Sequence, residues 1–198
     1  MEFEKLIRFY KERERFELKN ASGVAYFRSS IMFMQKVLET LQTGTAKTRP
    51  LKGLLVEAGC GDGRILALAA QMGIACEGIE KDDPIIAECE KNLKKLHSEK
   101  VIPFLPKVNK GDFTTQNAFE KINNIGAVYN FQTETEKLSK RMNEELNYGT
   151  LLIYYEIKKV QTQFEGFEFL ETYEPDTFKL YFPKTLSPQV HVYFKKEY

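Results

Sequence analysis

The chain has 198 residues with 42% hydrophobic content, enough to bury one sizeable core and too short for two ordinary domains with separate cores. Lysine and arginine number 29 against 28 aspartates and glutamates, and the resulting net charge of +1 gives no global electrostatic grip on nucleic acid or on an acidic membrane. A partner must therefore be argued from a site.

From Phe3 to Leu18 apolar residues recur at helical spacing (Phe3, Leu6, Ile7, Tyr10) among alternating charges. Lys5, Arg8, Lys11, Arg13 and Arg15 interleave with Glu2, Glu4, Glu12, Glu14 and Glu17, so this reads as a solvated helix face and carries no strong nucleic-acid signal. Met1 to Asn20 contains no apolar run, and no later segment approaches the ~20 apolar residues a bilayer span needs. Neither a leader nor a membrane association is expected. Asn20 to Phe27 reads as a loop, Ser30 to Leu41 as a second helix through Ile31, Met34, Val37, Leu38 and Leu41, and Thr43 to Pro50 as a linker.

Strands and helices then alternate. Leu54 to Gly59 reads as a strand, Gly63 to Met72 as a helix, and Ile74 to Glu80 as a second strand ending in an acid. Asp83-Pro84 opens a helix through Ile85, Ile86, Cys89, Leu93 and Leu96, with the aspartate as cap and the proline at the first helical position. Phe104 to Lys110 is a weak third strand interrupted by prolines, Ala127 to Phe131 a fourth, Thr135 to Leu146 an amphipathic helix and Thr150 to Ile157 a fifth strand. The alternation predicts an α/β fold with a mostly parallel sheet and helices on both faces. The ending departs from that rhythm: Glu165 to Tyr173, Thr177 to Pro183 and Val190 to Lys196 read as consecutive strands, with turns at Glu174-Pro175-Asp176 and Leu186-Ser187-Pro188.

Cys60, Cys76 and Cys89 include no CxxC pair, and only His97 and His191 could help them hold a metal. Neither a disulfide framework nor a metal site is expected, and reduced thiols fit a cytoplasmic setting.

Chemistry concentrates in Glu57-Ala58-Gly59-Cys60-Gly61-Asp62-Gly63-Arg64, which follows a predicted strand and opens a predicted helix. Such a glycine turn lets backbone approach a nucleotide-like ligand closely. A dinucleotide fingerprint would place its third glycine three residues after the second, at the position Arg64 occupies, which counts against a dinucleotide-dependent oxidoreductase. Glu80 ends a strand about 20 residues later, where an acid can accept both hydroxyl hydrogens of a ribose. Gly111-Asp112-Phe113 follows the third strand and puts another acid and an aromatic at the sheet's C-terminal edge.

Together these three elements resemble the class I, seven-β-strand S-adenosylmethionine-dependent methyltransferases, over roughly Leu51 to the C-terminus. The resemblance implies a Rossmann-like, mostly parallel seven-stranded sheet with an antiparallel C-terminal strand pair, preceded by N-terminal helices. It also implies a single methyltransferase domain over 1–198, with 1–50 a helical cap and linker and 51–198 the Rossmann-like core. S-adenosyl-L-methionine is the implied cofactor and S-adenosyl-L-homocysteine the product. Carried over, Glu57, Gly59, Cys60 and Gly61 form the cofactor loop, Glu80 holds the ribose, Asp112 and Phe113 frame the adenine, and Asn130 borders the cofactor.

Methyl transfer needs an in-line approach, a free lone pair and a water-poor site, so catalytic residues can be few. Tyr129 and Asn130, where the fourth strand ends, are the catalytic candidates. Tyr129-Asn130-Phe131-Gln132 lacks the Pro-Pro pair of base and glutamine N-methyltransferases. Gly59 to Arg64, Gly78-Ile79-Glu80 and Leu138 to Gly149 look closer to small archaeal and mitochondrial protein lysine methyltransferases, which implies a protein substrate. A lysine acceptor must first lose a proton, at a cost of about 4 to 5 kcal/mol near neutral pH. Tyr26, Phe27, Tyr129, Phe131, Tyr154 and Tyr155 could line a poorly hydrated channel that lowers this cost, although core packing is the more ordinary explanation for most of them. An RNA or small-molecule methyltransferase, or a non-catalytic cofactor-binding module, stays open as an alternative.

Overall fold

The computed structural model describes residues 2–13, 29–45, 50–131, 134–156, 162–174 and 189–197. Tyr26, Phe27, the loop from Asn20 to Phe27, the strand expected at Thr177 to Pro183 and the turn at Leu186-Ser187-Pro188 lie outside these residues. In chain order come α1 (Glu2–Arg13), α2 (Ile31–Thr43), β1 (Leu54–Ala58), α3 (Arg64–Gln71), β2 (Cys76–Glu80), α4 (Asp83–Ser98), β3 (Lys107–Lys110), β4 (Ile125–Phe131), α5 (Thr135–Glu145), β5 (Leu151–Glu156), β6 (Phe167–Tyr173) and β7 (Gln189–Lys195). The seven strands form one sheet in the order β3-β2-β1-β4-β5-β7-β6. This is the Rossmann-like α/β architecture that the sequence predicts, with its antiparallel C-terminal pair. Contacts divide the chain into two compact units, Met1–Gln35 with Leu54–Asp112 and Lys36–Gly53 with Phe113–Tyr198.

In the first unit β1 pairs parallel with β2 (Leu55 opposite Cys76, Ala58 opposite Ile79), and β2 pairs parallel with β3 (Glu77 opposite Lys107, Glu80 opposite Lys110). Helix α3 is buried from Arg64 through Ala70, as expected of a helix that is small and apolar on every side. Its C-terminus closes in a Schellman motif, with the Gly73 N–H donating to the Ala70 carbonyl and the Ile74 N–H to Ala69. That use of the Ile74 amide is why β2 begins at Cys76 rather than at Ile74. Strand β3 is likewise shorter than predicted, because Pro103 and Pro106 have no N–H for a ladder and pairing starts just past the second. Helix α4 is capped one residue earlier than the sequence reading placed it: Asp82 is the extended N-cap, Asp83 opens the helix and Pro84 follows. Its buried residues Ile85, Cys89, Asn92, Leu93 and Leu96 form one helical stripe.

In the second unit β4 pairs parallel with β5 (Ala127 opposite Leu151, Phe131 opposite Tyr155). Strand β7 runs antiparallel to both its neighbours, with Leu151 opposite Phe194 on one side and Tyr173 opposite Val190 on the other, and a bulge interrupts β6 between Phe169 and Glu171. All six residues of β5 are buried, which matches the apolar run Leu151–Tyr155, and the strand ends in a buried acid, Glu156. Helix α5 buries only Leu138 and Met142. Among the described residues no helix is long and apolar enough to cross a membrane.

Candidate functional site

Within the first unit the chain leaves β1 at Ala58, turns through Gly59 to Gly63 and enters α3. Gly59, Gly61 and Gly63 all lie at positive φ. At Gly63 (φ +79°) a Cβ would also stand 2.7 Å from Cys89 Sγ of α4, so this glycine brings loop and helix into direct contact. It performs the close-approach role that the dinucleotide pattern assigns to the next position. Gly78 of β2 does the same for Cys60, whose Sγ would be 2.6 Å from any Cβ there. Cys60 is buried, and a hydrogen bond with Cys89, together with burial, pushes its thiol well above the usual range. It packs the loop against β2.

The loop's amides face the protein. Gly59 and Cys60 both donate to the Ile79 carbonyl (2.8 and 3.1 Å), Gly63 donates to the Cys60 carbonyl (2.9 Å) and Arg64 to Asp62 Oδ1 (3.3 Å). Gly61 donates to Glu80 Oε2 at 3.2 Å, while Glu80 Oε1 accepts from the amides of Lys81 (2.9 Å) and Asp82 (3.2 Å). Glu80 is thereby fixed at the end of β2 with only 8% exposure. The acid and the glycine loop, 19 positions apart in sequence, form one hydrogen-bonded unit.

Glu57, next to last in β1, is buried, and its Oε2 has no hydrogen-bond partner among the described residues. Burial pushes its carboxyl well above the usual carboxylate range, and Cys89 and Asp62 add to the push. A buried acid therefore stands at the root of the loop. Asp112 follows β3, where the Gly111 N–H donates to the Glu80 carbonyl (2.9 Å), and its Oδ2 meets the exposed Lys81 ammonium at 3.3 Å. The structure thus gathers Glu57, Gly59, Cys60, Gly61, Glu80 and Asp112 at the C-terminal ends of β1, β2 and β3, the edge where ligands of open α/β sheets bind.

Two residues of the motif have a role that the sequence reading left unassigned. Asp62 and Arg64 form a buried, forked ion pair, with Nη2 to Oδ2 at 2.8 Å and Nε to Oδ1 at 3.1 Å, and Arg64 Nη1 donates to the Ser29 carbonyl at 3.3 Å. Alternating charge inside a glycine loop was the available signal.

Phe113, Tyr129 and Asn130 belong to the second unit. Phe113 is half-buried just beyond Asp112. Tyr129 (opposite Ile153) and Asn130 (opposite Tyr154) are buried in β4. Phe131 stacks on Tyr155 with centroids 4.9 Å apart, and the Tyr154 hydroxyl shares a 2.6 Å hydrogen bond with Thr135 Oγ1. Burial raises the Tyr154 phenol above its usual value. A buried polar group that the sequence reading missed lies at the end of β5: Glu156 accepts from the Thr162 hydroxyl (2.6 Å) and amide (3.2 Å), and its Oε2 is 3.6 Å from His191 Nε2. His191 Nδ1 pairs with Thr172 Oγ1 at 2.9 Å. Burial lowers the His191 pKa, against the opposing pull of Glu156 and Glu174.

No protein-family model matches the sequence, and no curated protein is significantly similar to it. Solved structures do share its fold. A mutant of MtNAS in complex with S-adenosylmethionine matches 82% of this chain with a TM-score of 0.61 at 12% identity, and the chain spans 61% of that protein's length. An RNA methyltransferase from Salinibacter ruber in complex with S-adenosyl-L-homocysteine matches 82% of this chain and 93% of its own, with a TM-score of 0.53 at 20% identity. The magnesium protoporphyrin IX methyltransferase of Synechocystis PCC 6803 with bound SAM gives 0.58 at 14% identity, covering 84% of this chain and 79% of its own. Likeness at these identities establishes the fold.

Proposed function

We propose that residues 1–198 act as one S-adenosylmethionine-dependent methyltransferase domain, cytoplasmic, that N-methylates a protein side chain, with lysine as the acceptor. The observation that carries the cofactor assignment is the 3.2 Å hydrogen bond joining the Gly61 amide to the Glu80 carboxylate, which holds a ribose-binding acid against a glycine loop. The loop's amides supply the second argument. A pyrophosphate needs open N–H groups at such a turn, whereas five of these amides already donate to protein acceptors. The acids Glu80 and Asp112 at this edge suit a cationic cofactor better than a polyanion.

In this reading Glu80 accepts from the ribose hydroxyls, Asp112 and Phe113 frame the adenine, and Glu57, Gly59, Cys60 and Gly61 shape the methionine side, with Asn130 bordering it. When bound, the cofactor supplies an electrophilic methyl group on a sulfonium. Tyr129 and Asn130 are the candidates to orient the acceptor lone pair in line and to keep water out. A cationic acceptor is favoured by a cavity of about 730 Å³ in the second unit, whose lining among the described residues includes Glu136, Glu144 and Glu165 beside Lys140. The Salinibacter ruber structure motivates a second reading, RNA as acceptor, which the net charge of +1 disfavours.

Calorimetric titration with S-adenosylhomocysteine tests the cofactor assignment. Micromolar binding by the native chain, lost at least tenfold in a folded Glu80→Ala, Asp112→Ala variant, is expected. Binding of NAD(P) in its place would overturn the reading. Radiolabel partitioning tests the acceptor: incorporation into protein is expected, and label confined to RNA would replace lysine with the second reading.

A further inference from the structure

The hydrogen bonds around Asp62 connect the glycine loop to the N-terminal helix. The Asp62 carbonyl oxygen accepts from two sides, from the Tyr10 hydroxyl of α1 at 3.4 Å and from Asn92 Nδ2 of α4 at 3.1 Å. Arg13 of α1 donates its Nε to Asn92 Oδ1 at 3.1 Å. A guanidinium can only donate, so this bond fixes which way the Asn92 amide points and turns its N–H toward the loop. Arg13 is itself held, lying 3.7 Å over the Phe9 ring and donating to the Phe9 carbonyl at 3.3 Å. The Arg64 guanidinium, forked on the Asp62 carboxylate, lies 5.2 Å over the Tyr10 ring. Tyr10 and Asn92 are each 1% exposed, and Leu6 and Phe9 bury the same face of α1.

From these contacts we propose that α1 sets the shape of the glycine loop and so governs its affinity for the cofactor, with Tyr10, Arg13 and Asn92 as positioning residues. A glycine-rich turn has many accessible conformations, and only one presents Gly59 to Gly61 as a ligand surface. The Asp62–Gly63 peptide plane is fixed by its two carbonyl bonds on one side and by the Gly63 N–H to the Cys60 carbonyl on the other. Removing the α1 bonds frees that plane while β1 and β2 keep their ladder. The linkage is reciprocal: whatever lifts α1 away weakens the cofactor, and the bound cofactor tightens α1. The affinity half of the proposal rests on the S-adenosylmethionine reading; the loop-shaping half does not.

The test uses the full chain and the double variant Tyr10→Phe, Arg13→Met, which removes both α1 hydrogen bonds, keeps the apolar bulk and changes neither the loop nor α4. Two quantities are measured, S-adenosylhomocysteine affinity and amide hydrogen exchange in the ligand-free protein. Binding at least tenfold weaker is expected, with the Gly61 and Gly63 amides exchanging at least tenfold faster and Leu55 and Val56 of β1 unchanged. Single Arg13→Lys, which retains a donor for Asn92, should return to within twofold of native in both. Unchanged loop exchange would overturn the proposal, and so would exchange raised equally in β1 and the loop, since that is general destabilisation. If the native chain binds no S-adenosylhomocysteine yet loop exchange still rises selectively, α1 does shape the loop and the cofactor assignment is what fails.

Discussion

Among the described residues, charged groups are buried at two places, and they are held in different ways. In the first unit, Asp62, Arg64 and Glu80 converge on a five-residue glycine turn, and most of their partners are backbone amides and carbonyls of the loop and its surroundings. In the second unit, Lys195 and the Glu156–His191 pair stand on the buried strands β5 and β7, where they tie strand ends to a helix and to a following segment. Burial of charge by itself therefore does not mark a site. What distinguishes the first group is that it fixes a glycine-rich turn of the backbone, Gly59 to Gly63, at the C-terminal edge of the strands.

The largest effect should come from breaking the pair inside the loop. Asp62→Ala leaves Arg64 buried without its carboxylate, which costs about 3 to 5 kcal/mol, a large share of a marginal folding free energy. Chemical denaturation should show this loss, and the double variant Asp62→Ala, Arg64→Met should recover more than half of it by removing the stranded charge. A single-variant loss below about 1 kcal/mol would mean that water reaches Arg64 and that the pair is no structural element.

A smaller loss is expected on the other side of the comparison. Lys195 donates its three hydrogens to the carbonyls of Met142 (3.0 Å), Asn143 (2.7 Å) and Leu146 (2.6 Å), closing the C-terminus of α5. Burial lowers its pKa, but the three carbonyls supply what solvent would. Lys195→Met should cost about 2 kcal/mol by leaving acceptors unsatisfied, with S-adenosylhomocysteine affinity within twofold of native. An affinity loss as large as that of the α1 variant would erase the distinction between the two regions.

The sequence shows one region far better than the other. Glycines at 59, 61 and 63, an acid at 80 and another at 112 are legible because a strand, turn and helix confine them to one edge, and spacing along the chain then maps onto space. Asp62 and Arg64 stand inside the same motif, yet their pairing depends on the loop's dihedral angles. Tyr10, Arg13 and Asn92 carry no signal at all, since Arg13 and Asn92 are 79 positions apart and sit on helices whose other residues look ordinary. The same holds for Glu156 and His191, which neighbouring antiparallel strands bring together. Local boundaries slipped where one amide served two possible partners, as at Ile74, or where proline withheld one, as before Lys107.

His191 provides the finest test of how the second unit holds its charges. Burial lowers the His191 pKa from 6.5 in the folded protein, so between that lowered value and 6.5 the unfolded chain binds the extra proton and the native chain does not. Stability from this group is fully present above pH 6.5 and is lost as pH falls through that window. The Glu156 carboxylate 3.6 Å away opposes the shift, which keeps the effect smaller than either substitution above. His191→Gln retains a hydrogen-bonding partner for Thr172 and cannot titrate, so its denaturation midpoint should change less between pH 7.5 and pH 5.5 than the native midpoint does. Equal changes would mean that His191 keeps its ordinary pKa on folding, and that Glu156 compensates the burial of the imidazole in full.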